Sequence, residues 1–222
     1  STDIQMAAGQ KLTVEGKLIS TDDTKIEADD LDLGTDKVNV GKKLTLEKAT
    51  TTQAINVGTG ANDWNINNAN YGKIKIGGSN QDADINIKGA TFKNPSDIET
   101  KKKVVLTGAT KAGANGGSDM KIKAKTAELP TAADTLAVKN LDLNLSGGLD
   151  LGHGKVKGAA DGKITIKGAS ASQDIVISDN ASHASGGEYR IAYRTINETL
   201  EGFKGFDVAG EKHVYFYGGS VK

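Results

Sequence analysis

Three histidines are the side chains in this sequence best suited to binding a transition metal. His153, His183 and His213 are evenly spaced along the chain, and a neutral imidazole is a common metal ligand. Their surroundings differ, because His213 directly precedes Val214 whereas His153 lies well before the repeated strand that begins at Lys163. We therefore interpret the histidines as loop or surface residues and predict no metal site.

Asp82 and Asp84, together with Asp174, are the carboxylates that would suit a catalytic cleft. This group is similar to the carboxylates in the acidic, calcium-binding clefts of β-helical polysaccharide lyases, in which a strong base also lies nearby. Both arginines of the chain, Arg190 and Arg194, are far from the Asp82 pair in sequence. We predict a chain that is not an enzyme, and we keep a β-helical enzyme acting on polysaccharide as the alternative.

Two segments have the oxygen-rich composition of calcium sites. Residues 58–63, Gly-Thr-Gly-Ala-Asn-Asp, resemble calcium-binding nonapeptide repeats, but such sites need tandem copies and this is a single copy. A turn is the simpler interpretation. An acidic stretch near the start of the chain is interpreted as a solvated face without a cofactor, with calcium held between adjacent loops as the alternative. It comprises Asp22, Asp23, Glu27, Asp29, Asp30, Asp32 and Asp36.

Composition argues against several classes of function. The 28 Lys and Arg residues balance 28 Asp and Glu residues, so we expect no nucleic-acid partner. Since no apolar run reaches the ~18 residues of a membrane-spanning helix, we expect no membrane insertion of this segment. The lack of cysteine excludes a disulfide framework and cysteine-based zinc sites.

A short phrase recurs along the chain and predicts the architecture. It has the form Lys-φ-x-φ-x-Gly, where φ is an aliphatic residue. Copies begin at Lys11, Lys43, Lys73, Lys103 and Lys163, and a weaker copy begins at Thr135. Their spacing indicates a period of about 30 residues, as in repeat folds. A second aliphatic alternation occurs at residues 55–57, 85–87 and 175–177, so each repeat carries at least two short strands.

Regular short strands with one repeated phrase favour an all-β fold, a right-handed parallel β-helix (β-solenoid) with about 30 residues per coil. Seven coils stacked about 4.8 Å apart would form a rod only about 34 Å long. We predict that the aliphatic residues of the phrase point inward and stack in one column. That column contains Leu12, Leu44, Ile74, Val104, Leu136 and Ile164, and the core also includes Leu46, Ile76, Leu106 and Ile166.

The end of the chain differs from the repeats. Seven of the ten aromatic residues lie between Tyr189 and Tyr217, and Thr195 to Glu198 fits a capping box. We predict solenoid repeats over 1–187 and a terminal coil or cap over 188–222, with a short helix at about 196–201. Packing inside the cap is one interpretation of the aromatic residues. A contact surface is the other, formed by Tyr189, Tyr193, Tyr215 and Tyr217.

Outward residues of the repeat offer two further hypotheses. The lysines that open each phrase would form a basic ladder for an anionic glycan, or would protect strand edges from pairing with other chains. Net charge is −6 over residues 1–36 and +8 over 37–125, which would permit attraction between copies. Amide ladders along the stack are expected from Asn39, Asn56, Asn65 and Asn86.

The recurrence of this phrase, followed by small Thr, Ser and Ala turns, resembles the repetitive passenger regions of large secreted bacterial surface adhesins of the autotransporter and two-partner-secretion type. That resemblance implies an extracellular or cell-surface location, a β-helical shaft, and adhesion or self-association. We expect a non-catalytic segment that contacts a host or bacterial surface glycan or protein, or further copies of itself. A surface-layer or filament subunit is a further alternative.

Overall fold

The computed structural model describes residues 1–130, 134–151, 154–168, 175–178, 189–192, 200–209 and 214–217. In these ranges the regular structure is 23 strands and one turn of 3-10 helix, Ala114–Gly116. The first strands are β1 (Thr2–Gln5), β2 (Lys11–Thr13), β3 (Leu18–Ser20), β4 (Thr24–Glu27), β5 (Asp30–Asp32), β6 (Val38–Glu47), β7 (Ile55–Gly58), β8 (Asn70–Gly77), β9 (Ile85–Lys88), β10 (Thr91–Phe92), β11 (Ser96–Glu99) and β12 (Lys103–Thr107). They are followed by β13 (Thr110–Ala112), β14 (Met120–Glu128), β15 (Thr135–Val138), β16 (Leu141–Asp150), β17 (Lys155–Gly158), β18 (Lys163–Gly168), β19 (Ile175–Ser178), β20 (Tyr189–Ala192), β21 (Leu200–Glu201), β22 (Gly205–Ala209) and β23 (Val214–Tyr217).

The central feature of the fold is one ladder of nine parallel strands, which we call the main ladder. Its order is β1, β4, β6, β8, β11, β14, β16, β18 and β22, and each strand pairs in parallel with the next. At about 4.8 Å per strand the ladder extends for about 38 Å. Parallel pairing between distant parts of the chain requires a crossover after every strand, so the chain winds as a solenoid. The predicted parallel β-solenoid is confirmed.

Further ladders form the other faces of the coils. The second ladder contains β7, β9 and β12, then the ends of β14 and β16, then β20, β19 and β23. In this ladder β20 lies between β16 and β19, although it follows β19 in the chain. The third ladder contains β10, β13, β15, β17 and β21. In the first coils β2 pairs with β5, and β3 pairs with β6.

Most coils are shorter than the recurring phrase predicted. In six of the eight steps of the main ladder the equivalent position recurs after about 22 residues, a period still typical of solenoid repeats. The step from Leu44 to Ile74 has the predicted length, and the step from Ile164 to Phe206 is longer. The phrase suggested a longer period because its copies lie in different ladders.

The single predicted column is therefore wrong as a column. Leu44, Ile74 and Ile164 lie in the main ladder, whereas Val104 lies in the second ladder and Leu136 in the third. Leu12 lies in β2, which pairs with β5. The burial prediction is confirmed, since all eight residues of the phrase expected in the core are at most 1% exposed: Leu44, Leu46, Ile74, Ile76, Val104, Leu106, Ile164 and Ile166.

One inward position is aliphatic in every strand of the main ladder. In register order the residues are Ile4, Ile26, Leu46, Ile76, Ile98, Ile122, Leu143, Ile166 and Val208. From Ile26 to Ile166 these side chains are at most 1% exposed. Such continuous stacking supplies the apolar burial that fixes the register of each coil on the next.

The last two residues of the helix predicted at about 196–201 are not helical. Leu200 and Glu201 form strand β21, which pairs with β17, while residues 193–199 lie outside the described residues. In the predicted cap segment 188–222, β22 continues the main ladder after β18.

Replacing Ile74 with Ala should lower the free energy of unfolding by roughly 2–5 kcal/mol, because the side chain is fully buried between Leu44 and Ser96 of the adjacent coils. Asn56→Ala is the control. The side-chain carbonyl of Asn56 accepts one hydrogen bond, from the side-chain amide of Asn86 at 2.9 Å in a half-buried amide ladder, so its loss should cost about 1 kcal/mol. Urea unfolding, monitored by circular dichroism, measures the free energy of unfolding of both variants. Equal losses in the two variants would contradict the assignment of Ile74 to the core.

Candidate contact surface

The outward side chains of the main ladder form an extended face, which we call the ladder face. One column of this face runs through Lys25, Thr45, Lys75, Asp97, Lys121, Asp142 and Thr165. A neighbouring column runs through Glu27, Glu47, Gly77, Glu99, Lys123, Asn144 and Lys167. Because successive strands are in register, each of these residues lies directly beside its counterpart on the next coil.

Two shallow grooves lie on the ladder face. The larger, of about 390 Å³, is lined by side chains that include Lys73, Asp97, Lys121, Asp142 and Lys167. The smaller, of about 290 Å³, is lined by residues that include Glu99, Lys123 and Asn144. Neither set of lining residues contains an aromatic side chain, so sugar stacking on a ring is not available there.

Ion pairs between coils organise the larger groove. Lys73 Nζ lies 2.7 Å from Asp97 Oδ2, and Lys121 Nζ lies 3.9 Å from Asp142 Oδ2. Asn140 donates a hydrogen bond to Asp119 at 2.8 Å and accepts one from the backbone N–H of Lys163 at 2.9 Å. The groove therefore presents alternating charges and amide groups, which suit a ligand with several hydroxyl or amide groups.

Glu99 is the most enclosed carboxylate of the ladder-face ion pairs, with a side chain only 16% exposed. It accepts contacts from Lys75 at 2.7 Å on one adjacent strand and from Lys123 at 3.0 Å on the other. Burial alone would raise its pKa, but the hydrogen bonds from Lys75 and Lys123 outweigh burial and hold the pKa of Glu99 below its ordinary value. One carboxylate thus joins three consecutive coils.

Lys25 forms the converse arrangement nearer the start of the chain. Its Nζ lies 2.9 Å from Glu47 and 3.0 Å from Glu27, and hydrogen bonds to these two carboxylates raise the pKa of Lys25. Charged groups in the two columns are therefore neutralised by direct contact with neighbours on the same face.

The lysines that open the repeated phrase do not form a basic ladder. Only Lys43 and Lys73 are neighbours in register, while Lys11 and Lys103 belong to other ladders. Each of the five lysines instead contacts a carboxylate on a neighbouring coil. The pairs are Lys11 with Asp30, Lys43 with Asp23, Lys73 with Asp97, Lys103 with Glu128, and Lys163 with Asp207.

The acidic stretch is likewise distributed among partners. Asp22 lies 2.8 Å from Lys42, and that hydrogen bond lowers the pKa of Asp22. Asp29 is buried and accepts hydrogen bonds from the backbone N–H of Gly9 at 2.5 Å and from the N–H and hydroxyl of Thr50 at 2.6 Å each. Asp29 thereby ties the turns of three successive coils, a structural role that the sequence did not reveal.

Asp82 and Asp84 also have structural partners. Asp82 lies 3.2 Å from Lys102, and Asp84 accepts a hydrogen bond from the backbone N–H of Lys103 at 3.1 Å. The residues that line the two grooves do not include this pair, and Asp174 lies outside the described residues. The alternative of a carboxylate cleft gains no support from this placement.

Residues 59–63, which directly follow β7, form a turn, as predicted for the segment 58–63. The Asp63 carboxylate accepts a hydrogen bond from the N–H of Gly60 at 3.2 Å and contacts Lys88 Nζ at 2.9 Å. A carboxylate that faces an ammonium group in this way is a poor calcium ligand. Among the described residues there is no group of three or more His, Asp or Glu side chains that could hold a metal.

The remaining sequence candidates are placed only in part. His153, His183, His213 and Tyr193 lie outside the described residues. Tyr189 lies in β20, while Tyr215 and Tyr217 lie in β23. These two strands flank β19 on either side, so the backbone positions of Tyr189 and Val214 are both in register with Ile175. Sequence reasoning did not find the ladder face, since Asp97, Lys121 and Asp142 lie on strands that lack the repeated phrase.

Comparisons with protein-family models, with curated proteins and with solved structures find no match to this chain. In the described part of the chain there is no helix of the length and apolar character needed to cross a membrane.

Glu99→Gln should reduce the sensitivity of the fold to acid. Because the pKa of Glu99 is lower in the folded chain than in the unfolded chain, the ionised group stabilises the fold at neutral pH. This stabilisation is lost as the pH falls below the unfolded value of about 4.3 and through the folded value. Between pH 7 and pH 3, the wild-type chain should therefore lose more free energy of unfolding than the variant does.

Glu128→Gln is the matched control, since Glu128 also contacts a lysine but its side chain is 42% exposed. Ion pairs this exposed contribute little, so its pH dependence should stay close to wild type. Urea unfolding at each pH gives the free energy of unfolding of the wild type and of both variants. Identical losses between pH 7 and pH 3 for wild type and Glu99→Gln would show that the ion pairs of Glu99 do not stabilise the solenoid.

Proposed function

We propose that this chain is a non-catalytic β-solenoid segment of an extracellular surface protein, in which the solenoid is a shaft and the ladder face is the contact surface. The observation that carries this proposal is the ladder face itself, a continuous parallel ladder whose outward charges are paired from coil to coil. The partner is a host or bacterial surface glycan or protein.

A shaft needs strong connections between successive coils. Here each coil is joined to the next by backbone hydrogen bonds of the main ladder and by the inward aliphatic column from Ile4 to Val208. Side chains add ties such as Asp29 to Gly9 and Thr50, and Lys75 to Glu99. These connections repeat along the chain, which is what a rod under tension requires.

The lysine contacts of the ladder-face carboxylates support a contact surface without a catalytic group. Asp97, Glu99 and Asp142 each contact a lysine, so none is placed as an isolated acid or base. Alternating ammonium, carboxylate and amide groups can instead donate and accept hydrogen bonds with a polar ligand.

Cell binding tests the position of this contact surface. The double variant Lys121→Glu and Lys167→Glu should weaken binding of the fluorescently labelled chain to cells at least about tenfold, because both side chains line the larger groove. The double variant Lys17→Glu and Lys111→Glu is the matched control, since it makes the same change in charge at two exposed positions that line neither groove. Equal losses for the two variants, measured by flow cytometry, would remove the ladder face as the contact surface.

The same protein should bind without altering its ligand. Asp82→Asn and Asp84→Asn should leave cell binding unchanged, and the chain should release no unsaturated oligosaccharides from uronate polymers, as measured by ultraviolet absorbance. Release of such products, abolished by either Asp variant, would establish the β-helical enzyme instead.

A surface-layer or filament subunit is the second candidate, favoured by the net charges of −6 over residues 1–36 and +8 over 37–125. Contacts such as Asp22 with Lys42 and Asp23 with Lys43 pair these regions within one chain, but they leave the net charges in place. This candidate predicts association at low salt that is lost at high salt, because exposed charges are screened beyond about 8 Å at physiological ionic strength.

Sedimentation velocity at both salt concentrations measures such association. Replacing the exposed Asp3, Asp22 and Asp36 with Asn should weaken it, whereas Asp29 must be kept because it ties neighbouring coils. A monomer under all conditions would rule out the surface-layer or filament subunit and would leave the shaft as the proposed function.

A further inference from the structure

The smaller groove extends from the ladder face onto the turns beside it. Glu99 and Asn144 belong to strands β11 and β16, whereas Lys101 lies in the turn after β11. Lys125 lies where the register of β14 on β16 shifts. Irregularities of this kind redirect side chains at the margin of a regular sheet. One side of the groove therefore has a different set of charges from the ladder face itself.

Backbone hydrogen bonds place Lys101 and Lys125 next to each other on consecutive coils. The N–H of Lys101 donates to the carbonyl of Gln81 at 2.9 Å, and the N–H of Lys125 donates to the carbonyl of Lys102 at 2.8 Å. Stacked coils lie about 4.8 Å apart. Both side chains line the groove, so two ammonium groups reach the same space from adjacent coils.

These two lysines have no carboxylate partner in the part of the chain that the structure describes. Their neighbour Lys102 does have one, since its Nζ lies 3.2 Å from Asp82. The side chains of Lys101 and Lys125 are exposed. Both ammonium groups are therefore available to a ligand, unlike those of the ladder-face ion pairs.

The groove has an excess of positive charge. Its lining residues include three lysines, Lys101, Lys123 and Lys125, and a single carboxylate, that of Glu99. Glu99 already contacts Lys123 at 3.0 Å and Lys75 at 2.7 Å. Ammonium groups held this close repel one another, and an anion placed between them would relieve that repulsion.

Uncharged groups of the groove suit a hydroxylated ligand. The Ser79 hydroxyl and the Asn144 amide form no hydrogen bond with another described residue, so both can donate to a ligand. Ala124 is the one apolar side chain among the lining residues, which disfavours a peptide with apolar anchors. A volume of about 290 Å³ lies at the small end of ligand sites and suits one unit of a longer chain.

We propose that the smaller groove binds one acidic unit of a polysaccharide, with the sulfate or carboxylate group of that unit between the ammonium groups of Lys101 and Lys125. Ser79 and Asn144 donate hydrogen bonds to oxygens of the sugar, and Glu99 accepts one from a sugar hydroxyl. This inference rests on the proposed contact function, because it names the class of ligand for one part of the contact surface.

The probe is a heparin hexasaccharide labelled with fluorescein, which carries both sulfate and carboxylate groups. Fluorescence anisotropy with the purified chain should show saturable binding that weakens as salt is added. Labelled maltohexaose has no charge and should bind at least about tenfold more weakly. A polyglutamate peptide of matched charge should also bind at least about tenfold more weakly, because it lacks sugar hydroxyls. A hyaluronate hexasaccharide has carboxylates but no sulfate, so its affinity relative to heparin identifies the anion that the site prefers.

Removing the two available ammonium groups should weaken heparin binding about tenfold, in the double variant Lys101→Gln and Lys125→Gln. The matched control is the double variant Lys17→Gln and Lys111→Gln, which removes the same charge at exposed positions that line neither groove. The control should bind heparin as the wild type does.

Asn144→Asp is an independent test, since it adds a negative charge to the groove with almost no change of shape. It should also weaken heparin binding about tenfold. Asn65→Asp is its control, because Asn65 is exposed and lines neither groove. Circular dichroism and urea unfolding verify that each variant is folded before its affinity is compared.

Four outcomes would overturn the proposal: no binding of heparin, equal binding of heparin and maltohexaose, equal heparin binding by the Lys101 and Lys125 variant and its control, or equal heparin binding by Asn144→Asp and Asn65→Asp. Polyglutamate binding as tight as that of heparin would also overturn it and identify an acidic peptide as the ligand.

Failure of this proposal is distinguishable from failure of the contact function, because the two use different variants and measurements. If Lys121→Glu with Lys167→Glu loses cell binding while Lys101→Gln with Lys125→Gln keeps heparin binding, only the acidic ligand is refuted. If Lys121→Glu with Lys167→Glu binds cells as well as its own control does, the contact function of the ladder face is refuted instead.

Discussion

The constraint on which this structure depends is the parallel, in-register stacking of the main ladder. Each position of one coil lies about 4.8 Å from the same position of the next, so a column of like charges would repel along its whole length. The chain avoids this by placing a group of opposite charge in contact with each cluster of like charges. Glu99 contacts Lys75 and Lys123 on the strands on either side of it, and Lys25 contacts both Glu27 and Glu47, which are neighbours in register. Inward side chains must fill a similar volume in every coil, and a nearly uniform aliphatic column meets that requirement.

Coil length is less constrained than strand register, because the turns carry the differences. The step from Leu44 to Ile74 is longer than the steps on either side of it, and the added chain accommodates β7 and the buried Trp64. Turns of different length remain joined by local polar ties, such as that of Asp29 to Gly9 and Thr50. The core also tolerates inward hydroxyl groups at Thr24 and Ser96, which have no hydrogen-bond partner among the described residues.

These hydroxyl residues explain how far the sequence could predict the fold. Alternation and repetition were sufficient for a parallel solenoid and for the eight core residues. The period was not predictable from the phrase, because several strands of the main ladder lack it. β4 and β11 begin with inward Thr24 and Ser96 instead of an aliphatic residue, and β14 and β16 follow Asp119 and Asn140 instead of a lysine. The copies at Lys73 and Lys103 are therefore consecutive along the chain although they belong to different ladders. The ladder face could not be found either, since its ion pairs depend on the true register.

Pairing of charges along the shaft has a consequence for how it can bind. Opposite charges in contact produce a field that decays within a short distance, so this face offers little long-range attraction to a charged ligand. Recognition by the proposed contact surface would then depend on short-range hydrogen bonds and on the shape of the two grooves, which favours slow association and modest affinity at a single site. A surface of that kind becomes effective when many copies act together, because the second and later contacts occur at high local concentration. The proposed display on a cell surface would provide that condition, and neutral ladder faces would allow neighbouring shafts to stand close together without mutual repulsion.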